Sequence, residues 1–310
     1  MPRDRDSDGR GEAASTSKGG GRSKTAGSAS HLEGTTLEQR IRIGPARLYV
    51  RDEGEGEAFL LAHGMWCAGH MFDSMVAELS TTHRVVTPDL RGHGKSGVPR
   101  LPWSVVDVAE DYLRILDALR IDRVILGGYS MGGMAAVHFA LKHPERLSAL
   151  ILMSTSGSAE PWMRRRELEA LAGAVAMTGA PRWLAFQAAY GVFTADFRRT
   201  APDVVEKWTD QVEAMSRKAL VQAVHAVGSR PSLEDRLGSI TTPTLVLAGH
   251  RDWHLSSRHS VVLSEKIPGA ELAILPGVGH GLPIERPGET VKLIRLFLKQ
   301  VGARSASKRA

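Results

Sequence analysis

Short apolar runs alternate with amphipathic stretches along much of the chain. The stretch "IRIGPARLYVRDEG" has alternating apolar residues and predicts a β-hairpin. Buried strands are predicted for the short apolar runs in "AFLLAHG", "HRVVTPDL", "RVILGGYS" and "LSALILMST". Helical spacing of apolar residues is found in "WSVVDVAEDYLRILDALRI" and in "MGGMAAVHFALKHP", which ends at Pro144. This order of strands and helices predicts an α/β fold with a mostly parallel sheet covered by helices on both faces.

The pattern changes between about Ser158 and Leu237, where the spacing is helical and no strand is predicted. Strands return in "TPTLVLAGHRD" and "AELAILPGVGH", and "RPGETVKLIRLFLKQV" predicts a closing amphipathic helix. We therefore divide the chain into a disordered tail, an α/β core in two segments, a helical cap and a basic tail. Their predicted bounds are 1–36 for the first tail, 37–157 and 238–302 for the core, 158–237 for the cap and 303–310 for the last tail.

Composition adds one feature to this picture, the tail at residues 1–36. It contains 13 Gly or Ser and almost no large apolar residue, so it cannot bury enough surface to offset the entropy of ordering. The net charge of +6 is also concentrated at the ends, because the two tails contribute four of the six charges. The body carries no basic stripe with interleaved aromatic residues, so we expect no nucleic-acid partner.

The single cysteine, Cys67, excludes an internal disulfide framework and favours a reducing compartment. No apolar run approaches the roughly 18 residues needed to span a bilayer, and no signal-peptide core is present. We therefore expect a cytoplasmic protein without a membrane span. The sequence does not indicate an oligomeric state.

The motif "GYSMGG" lies between a predicted strand and a predicted helix and contains Gly-x-Ser-x-Gly at residues 128–132. A sharp turn from strand to helix forces an unfavourable backbone angle on its central residue, Ser130. The small residues on either side let the strand and helix approach closely. Ser130 is then exposed at the helix N-terminus, where developing negative charge is favoured. The alternative, a plain helix N-cap serine, is weaker because suitable partners follow downstream.

A nucleophilic serine needs a base, and the base needs an acid that orients it. Asp252 and His280 each follow a predicted strand, and the order Ser, Asp, His fits this chemistry on such a sheet. The strand "LSALILM" is followed by "STSGS", which offers no competing carboxylate. His250 and His254 flank the acid, and we interpret both as pocket-edge or surface residues.

Taken together, "HGMW", "DLRGHGKS", "GYSMGG", "GHRD" and "GVGH" resemble the α/β-hydrolases of the cap-bearing single-chain class over residues 38–300. The phrase "FTADFRRTAPDVV" is also similar to 3-oxoadipate enol-lactonases and related small esterases. Enol-lactonases usually have a proline shortly after the acid, whereas this chain has "DWHLSS". "GYSMGG" is similar as well to the cofactor-free haloperoxidases.

The resemblance implies a role for each matching residue. Ser130 is implied as nucleophile, His280 as general base and then acid, and Asp252 as the residue that fixes the imidazole tautomer. The oxyanion hole is implied to be the backbone N–H groups of Met65 and Met131. Neither a metal nor an organic cofactor is implied.

Other residues near the motifs have weaker assignments. Trp66 and Trp253 are candidate substrate-binding residues at the pocket edge. His63 and His93 are implied to be structural, and Asp89 and Arg91 are interpreted as partners that fix the loop. The three cap tryptophans are expected in the core rather than at the substrate; they are Trp162, Trp183 and Trp208.

A serine nucleophile points to acyl transfer, since dehalogenases and epoxide hydrolases of this fold use aspartate there. The sequence therefore predicts a serine hydrolase of small, fairly apolar carboxylic esters or lactones that works through an acyl-enzyme. A perhydrolase or a carbon–carbon bond hydrolase with the same triad remains an alternative. So does a small-ligand sensor with a vestigial triad. The partner in every case is a small molecule.

Overall fold

A single eight-stranded sheet organises the computed structural model, which describes residues 36–43 and 46–307. The predicted N-terminal tail lies outside the described residues except for Thr36, and so do residues 308–310. The strands are β1 (Leu37–Ile43), β2 (Ala46–Glu53), β3 (Glu57–Ala62), β4 (His83–Pro88), β5 (Val124–Tyr129), β6 (Leu147–Met153), β7 (Thr244–Gly249) and β8 (Glu271–Leu275).

The strands lie in the order β1-β2-β4-β3-β5-β6-β7-β8. The hairpin β1–β2 pairs antiparallel, β2 pairs antiparallel with β4, and every later pairing is parallel. β5 and β7 are buried along their whole length, as continuous apolar runs in a parallel sheet require. The predicted mostly parallel sheet is therefore confirmed.

The parallel register brings the ends of the central strands to one edge. Ala62 pairs with Gly128, and Tyr129 pairs with Met153 on the next strand. The loops that follow β3, β5, β6 and β7 therefore leave the sheet side by side. In open parallel sheets this carboxyl edge is where ligands bind.

Helices pack on the sheet in two layers. α1 (Asp73–Leu79) packs against α11 (Pro287–Ser307), whereas α2 (Val105–Ala118) packs against α3 (Met131–Lys142). α2 begins with a capping box, in which the Ser104 hydroxyl accepts the N–H of Asp107 and the Asp107 carboxylate accepts the N–H of Ser104. The other helices of the core are α9 (Ser257–Lys266) and α10 (Leu282–Glu285).

Five helices lie between β6 and β7 in the stretch that the sequence assigns to the cap. They are α4 (Trp162–Thr178), α5 (Arg182–Val192), α6 (Ala195–Thr200), α7 (Pro202–Ala214) and α8 (Arg217–Gly228). α4 packs on α8, and α5 packs on α7. We call these five helices the cap.

Hydrogen bonds join the cap to the core at several places. The Trp66 indole N–H donates to the carbonyl of Leu220 at 3.3 Å, and the Gln211 amide donates to the carbonyl of Trp66 at 3.0 Å. The Gly281 N–H donates to the carbonyl of Val192 at 2.8 Å. Trp66 itself has a φ of 61°, a strained value for a bulky residue that surrounding contacts must hold in place.

The C-terminal end and three short helices differ from the sequence-based picture. α11 runs to Ser307, beyond the predicted start of the basic tail at residue 303, since Ala303 and Arg304 are compatible with a helix. The sequence analysis predicts no helix at α1, α9 or α10, because each is too short to show a clear helical periodicity. Within the described residues, no helix is both long and apolar enough to cross a membrane.

Candidate active site

Ser130 occupies a strained turn between β5 and α3. Its φ is 49° and its ψ is −117°, a conformation that costs an L-residue free energy and persists only when neighbours enforce it. The Ser130 N–H donates to the carbonyl of Met153 at 2.9 Å, and the Thr155 hydroxyl donates to the carbonyl of Ser130 at 2.7 Å. The strand and the loop after β6 thus fix the turn on both sides.

The glycines around Ser130 are required by close packing. A Cβ on Gly128 would lie 2.6 Å from the Cα of Gly133, and a Cβ on Gly132 would lie 2.4 Å from the carbonyl oxygen of Ala62. Real side chains do not approach so closely. The Gly-x-Ser-x-Gly pattern therefore has the steric cause that its sequence position suggests.

His280 and Asp252 meet Ser130 at the same edge. The His280 Nδ1–H donates to Asp252 Oδ2 at 2.7 Å, and His280 Nε2 lies 3.0 Å from Ser130 Oγ. His280 and Asp252 are both buried. The chain thus brings together the three residues that the sequence singles out, with the separations expected of a nucleophile, a base and an orienting acid.

The other oxygen of Asp252 orders its own loop. Asp252 Oδ1 accepts the backbone N–H of His254 at 2.9 Å and that of Leu255 at 2.8 Å. The loops that carry Asp252 and His280 are also tied together, because the Arg251 N–H donates to the carbonyl of Val278 at 2.8 Å. The carboxylate is therefore fixed in position by three donors, of which His280 is one.

The loop after β3 lies directly against the serine. A Cβ on Gly64 would lie 3.1 Å from the Cβ of Ser130. His63 Nε2 accepts the Leu90 N–H at 2.8 Å, so its Nδ1–H donates to the Gly64 carbonyl, also at 2.8 Å. Burial lowers the pKa of His63 to about 4, which keeps the ring neutral and preserves both hydrogen bonds at neutral pH. His63 thus shapes this loop, the structural role that the sequence assigns to it.

The two candidate oxyanion-hole residues come from different parts of the chain: Met65 lies in the loop after β3, and Met131 directly follows Ser130. Met131 is the first residue of α3, and the first N–H groups of a helix have no intrahelical acceptor. Met65 follows Gly64 and lines the same cavity as Ser130. Their two N–H groups remain the candidates for stabilising a developing oxyanion.

Asp89 and Arg91 hold neighbouring loops. Asp89 accepts the N–H of Gly69 and that of Lys95, each at 2.7 Å. Arg91 forms a two-pronged contact with the buried carboxylate of Asp111 on α2, at 2.7 and 2.6 Å. Both side chains therefore act on loop structure, in agreement with the interpretation drawn from the sequence.

A cavity of about 270 Å³ opens at Ser130 and His280 between the sheet edge and the cap. Its wall is mostly apolar. It is lined by Met65, Trp66, Cys67, Tyr129, Ser130, Met134, Glu160, Arg164, Leu168, Leu171, Leu184, Ala188, Val192, Trp208, Val227, His254, Leu255 and His280. Burial raises the pKa of the Cys67 thiol to about 11, so this cysteine stays protonated and is a poor nucleophile.

The two candidate substrate-binding tryptophans differ in position. Trp66 lines the cavity, whereas Trp253 does not and its side chain is 87% exposed. The turn around Asp252 explains the difference, because it directs Trp253 outward and the next residue, His254, inward. His254 is thus a cavity residue that sequence reasoning left at the pocket edge or surface.

His254 lies between the candidate triad and the cap. Its ring centroid is 5.4 Å from that of His280. A Cβ on Gly191 of α5 would lie 2.2 Å from His254 Nε2, so the missing side chain of Gly191 makes room for this ring. Burial, with the nearby His280 as the next cause, lowers the pKa of His254 to about 4 and keeps it neutral.

The cap tryptophans do not share one environment. Trp208 is buried, contacts Phe193 edge to face and lines the cavity. Trp162 and Trp183 are exposed, so the expectation that all three lie in the core is wrong for these two. Each stands in the first turn of its helix, where the side chain extends beyond the packed part of the cap.

Across residues 36–43 and 46–307, no group of three or more His, Cys, Asp or Glu side chains could hold a metal ion.

Comparison with known proteins identifies relatives over most of the chain. A model of the alpha/beta hydrolase fold family matches residues 57–287. The 3-oxoadipate enol-lactonase 2 of Acinetobacter baylyi is 26% identical over 262 residues, which cover 83% of this chain and 93% of the relative.

Solved structures give the same result. A thermophilic esterase from Thermogutta terrifontis is 28% identical, with a TM-score of 0.80 and coverage of 86% of this chain and 99% of that one. The enol-lactonase from Burkholderia xenovorans LB400 is 26% identical, with a TM-score of 0.77 and coverage of 84% and 100%. This chain is similar to both over its core and cap.

Proposed function

The chain belongs to the α/β-hydrolase fold family, and we propose that it is a serine hydrolase that cleaves small, fairly apolar carboxylic esters or lactones through an acyl-enzyme. One observation carries the proposal. Ser130 Oγ lies 3.0 Å from His280 Nε2, and His280 Nδ1 lies 2.7 Å from Asp252 Oδ2. These three side chains adjoin a mostly apolar cavity, which suits the hydrocarbon part of a small ester.

In the first half of the proposed reaction, Ser130 Oγ attacks the ester carbonyl while His280 Nε2 takes its proton. Asp252 holds the tautomer with a proton on Nδ1, so the lone pair of Nε2 faces the serine. The backbone N–H groups of Met65 and Met131 would donate to the oxyanion. His280 then gives its proton to the leaving alcohol, or to the ring oxygen of a lactone.

In the second half, water replaces the alcohol and the same groups act again. His280 takes a proton from the water, which attacks the acyl carbonyl, and then returns a proton to Ser130 Oγ. Cys67 also lines the cavity and is a residue type that can act as a nucleophile. Burial raises the pKa of its thiol, so the side chain stays in the less reactive thiol form. The attacking atom in this proposal is therefore Ser130 Oγ.

The size and wall of the cavity support small substrates. Sites for drug-sized ligands have volumes of about 300 to 1,000 Å³, and the volume here, about 270 Å³, lies below that range. The enol-lactonase and the esterase to which this chain is similar are, as their names state, enzymes of ester-type bonds, which supports this choice of chemistry.

The test uses a fluorophosphonate probe and a panel of p-nitrophenyl esters of increasing acyl length, with simple lactones alongside. We expect the wild-type protein to be labelled and to turn over short esters many times. Ser130→Ala should abolish both while the protein stays folded, because the change removes the attacking oxygen and little volume. Ser264→Ala, on α9 outside the cavity, is the matched control and should retain both activities.

Labelling of Ser130→Ala at the wild-type rate would overturn the assignment of the nucleophile. A single turnover followed by tight retention of the product would identify a sensor rather than an enzyme.

A further inference from the structure

Two of the residues that line the cavity carry a full charge apart from the triad, Glu160 and Arg164. An apolar cavity is a costly place for an isolated charge, because burial removes the water that would solvate it. The partners of these two side chains therefore decide which charge the cavity offers to a ligand.

The charge of Glu160 is compensated by the protein itself. Glu160 Oε1 lies 2.7 Å from Arg230 Nη1, and the two side chains are only 9% and 3% exposed. Arg230 is held in turn by carbonyl groups, because its Nε–H donates to Ser158 O and its Nη1–H to Val227 O, each at 2.9 Å. This buried pair has no net charge, so Glu160 does not present an uncompensated negative charge to a ligand.

Arg164 is differently placed. Its contact with Glu167 is a pair three residues apart on α4, with one guanidinium nitrogen 2.7 Å from Glu167 Oε2. The side chains are 41% and 59% exposed, and exposed pairs of this kind contribute little to stability. A guanidinium has five N–H donors, so this contact leaves donors for a ligand. Arg164 can therefore exchange Glu167 for the carboxylate of a ligand at small cost.

The cation also lies within electrostatic reach of the reaction centre. The low pKa of His254 has burial as its main cause and His280 as the next, and the charge of Arg164 also lowers it. The His254 ring is 5.4 Å from the His280 ring. Arg164 and Ser130 both line the cavity of about 270 Å³, so a small molecule bound there can contact both side chains.

We propose, on the basis of the function proposed above, that the preferred substrates carry a carboxylate, which Arg164 binds while the ester carbonyl lies at Ser130. Half-esters of small dicarboxylic acids are the chemical class that fits. The planar guanidinium can form two parallel hydrogen bonds to one carboxylate, which gives both attraction and orientation. The apolar walls then bind the methylene groups between the carboxylate and the ester.

The test compares the monoethyl esters of succinate, glutarate and adipate with ethyl butyrate, valerate and hexanoate, in which a methyl group replaces the carboxylate. We expect the wild-type enzyme to have a lower KM for one half-ester than for its neutral counterpart. Arg164→Gln should raise that KM by about tenfold or more, with little change in kcat and no change for the neutral ester. Arg164→Lys should have an intermediate effect, since it keeps the charge and loses the planar fork.

Two further variants on the same helix give a control and a change in the opposite direction. Arg165→Gln removes a neighbouring exposed arginine that does not line the cavity and should leave both KM values unchanged. Glu167→Gln removes the competitor for Arg164 and should lower the KM for the half-ester a few-fold.

A binding measurement separates this inference from the proposed function. Isothermal titration of the half-ester into Ser130→Ala protein needs no turnover, and Arg164→Gln in that background should weaken the Kd about tenfold. An Arg164→Gln variant whose KM and Kd are unchanged, or change equally for charged and neutral esters, overturns the inference. If neutral esters are still cleaved in a Ser130-dependent manner, the proposed function survives that result; if no ester is cleaved, the proposed function fails.

Discussion

The carboxyl edge of the sheet and the cap differ in how much space surrounds their glycines. At the edge, a Cβ on Gly132 would lie 2.4 Å from a backbone oxygen. In the cap, a Cβ on Gly173 of α4 would meet nothing within 4 Å. The cap becomes equally tight only at Gly191, where it receives the ring of His254. The difference suggests that the edge fixes the chemistry and tolerates little change, while most of the cap is free to vary and sets the choice of substrate.

The strongest test of this division is Asp252→Asn. Asparagine can donate to the imidazole and so stabilise the wrong tautomer, and an equivalent change in a serine protease costs about 10⁴ in kcat. We expect a kcat loss of that order, about 5.5 kcal/mol of transition-state stabilisation, with KM changing far less. Steady-state kinetics with a charged and a neutral ester would check this. The kcat for the two esters should fall by the same factor if the carboxyl edge of the sheet governs the chemistry alone.

The control for this variant is Glu271→Gln, on the strand that leads to His280, which should be nearly silent. Retention of more than about a tenth of wild-type kcat by Asp252→Asn would mean that the acid has been misassigned. The double variant Ser130→Ala with Asp252→Asn should have a kcat little lower than that of Ser130→Ala alone, since Ser130, Asp252 and His280 act as a unit.

A second test adds one methyl group to each region. Gly132→Ala places a Cβ against the carbonyl oxygens of Ala62 and His63, which are backbone atoms that cannot move aside. We expect a loss of about 2 to 3 kcal/mol in the free energy of unfolding. Gly173→Ala should instead gain about 0.5 to 1 kcal/mol, because alanine is the better helix former and the site is open. Urea denaturation of both variants measures the two changes in the free energy of unfolding. Similar changes in the two variants would contradict the proposed difference between the edge and the cap.

Acid should weaken the edge through its buried histidines. Burial lowers the pKa of His63 to about 4 and that of His93 to about 3, from an ordinary value of 6.5. The unfolded chain therefore binds protons that the folded chain excludes once the pH falls below about 6.5. Stability is present above that pH and is lost as the pH falls towards 4, by about 2 kcal/mol per histidine at pH 5.

The measurement is the free energy of unfolding at pH 7, 6 and 5. His93→Asn should flatten the dependence on pH, whereas His225→Asn, an exposed residue of the cap helix α8, should leave it unchanged. An identical slope in the wild-type protein and His93→Asn would show that acid acts elsewhere.

The sheet could be predicted from the sequence because its signals are local. Continuous apolar runs of strand length predicted β3, β5, β6 and β7, and this part of the prediction is confirmed. The turn at Ser130 could be predicted for the same reason, because the close packing around it requires glycines two or three positions away in the sequence. The catalytic roles of Ser130, Asp252 and His280 stay a prediction, and the bonds that join them support it.

The cavity wall could not be predicted in the same way. Whether Trp253 or His254 points inward depends on the turn around Asp252, and the space for His254 depends on Gly191 in a distant helix. The charge that the cavity offers depends on which carboxylate pairs with Arg230, a contact between the chain just before α4 and the chain just after α8. Spacing along the chain carries no signal for contacts of this kind.

The hydrogen bonds of Trp66 to the cap have a thermodynamic consequence. Trp66 belongs to the loop beside Ser130, yet its indole and its carbonyl are satisfied by Leu220 and Gln211 of the cap. Loss of the cap would leave these groups without partners and would release a backbone held at an unfavourable φ. Core and cap are therefore expected to melt together, as one endothermic peak whose calorimetric and van't Hoff enthalpies agree.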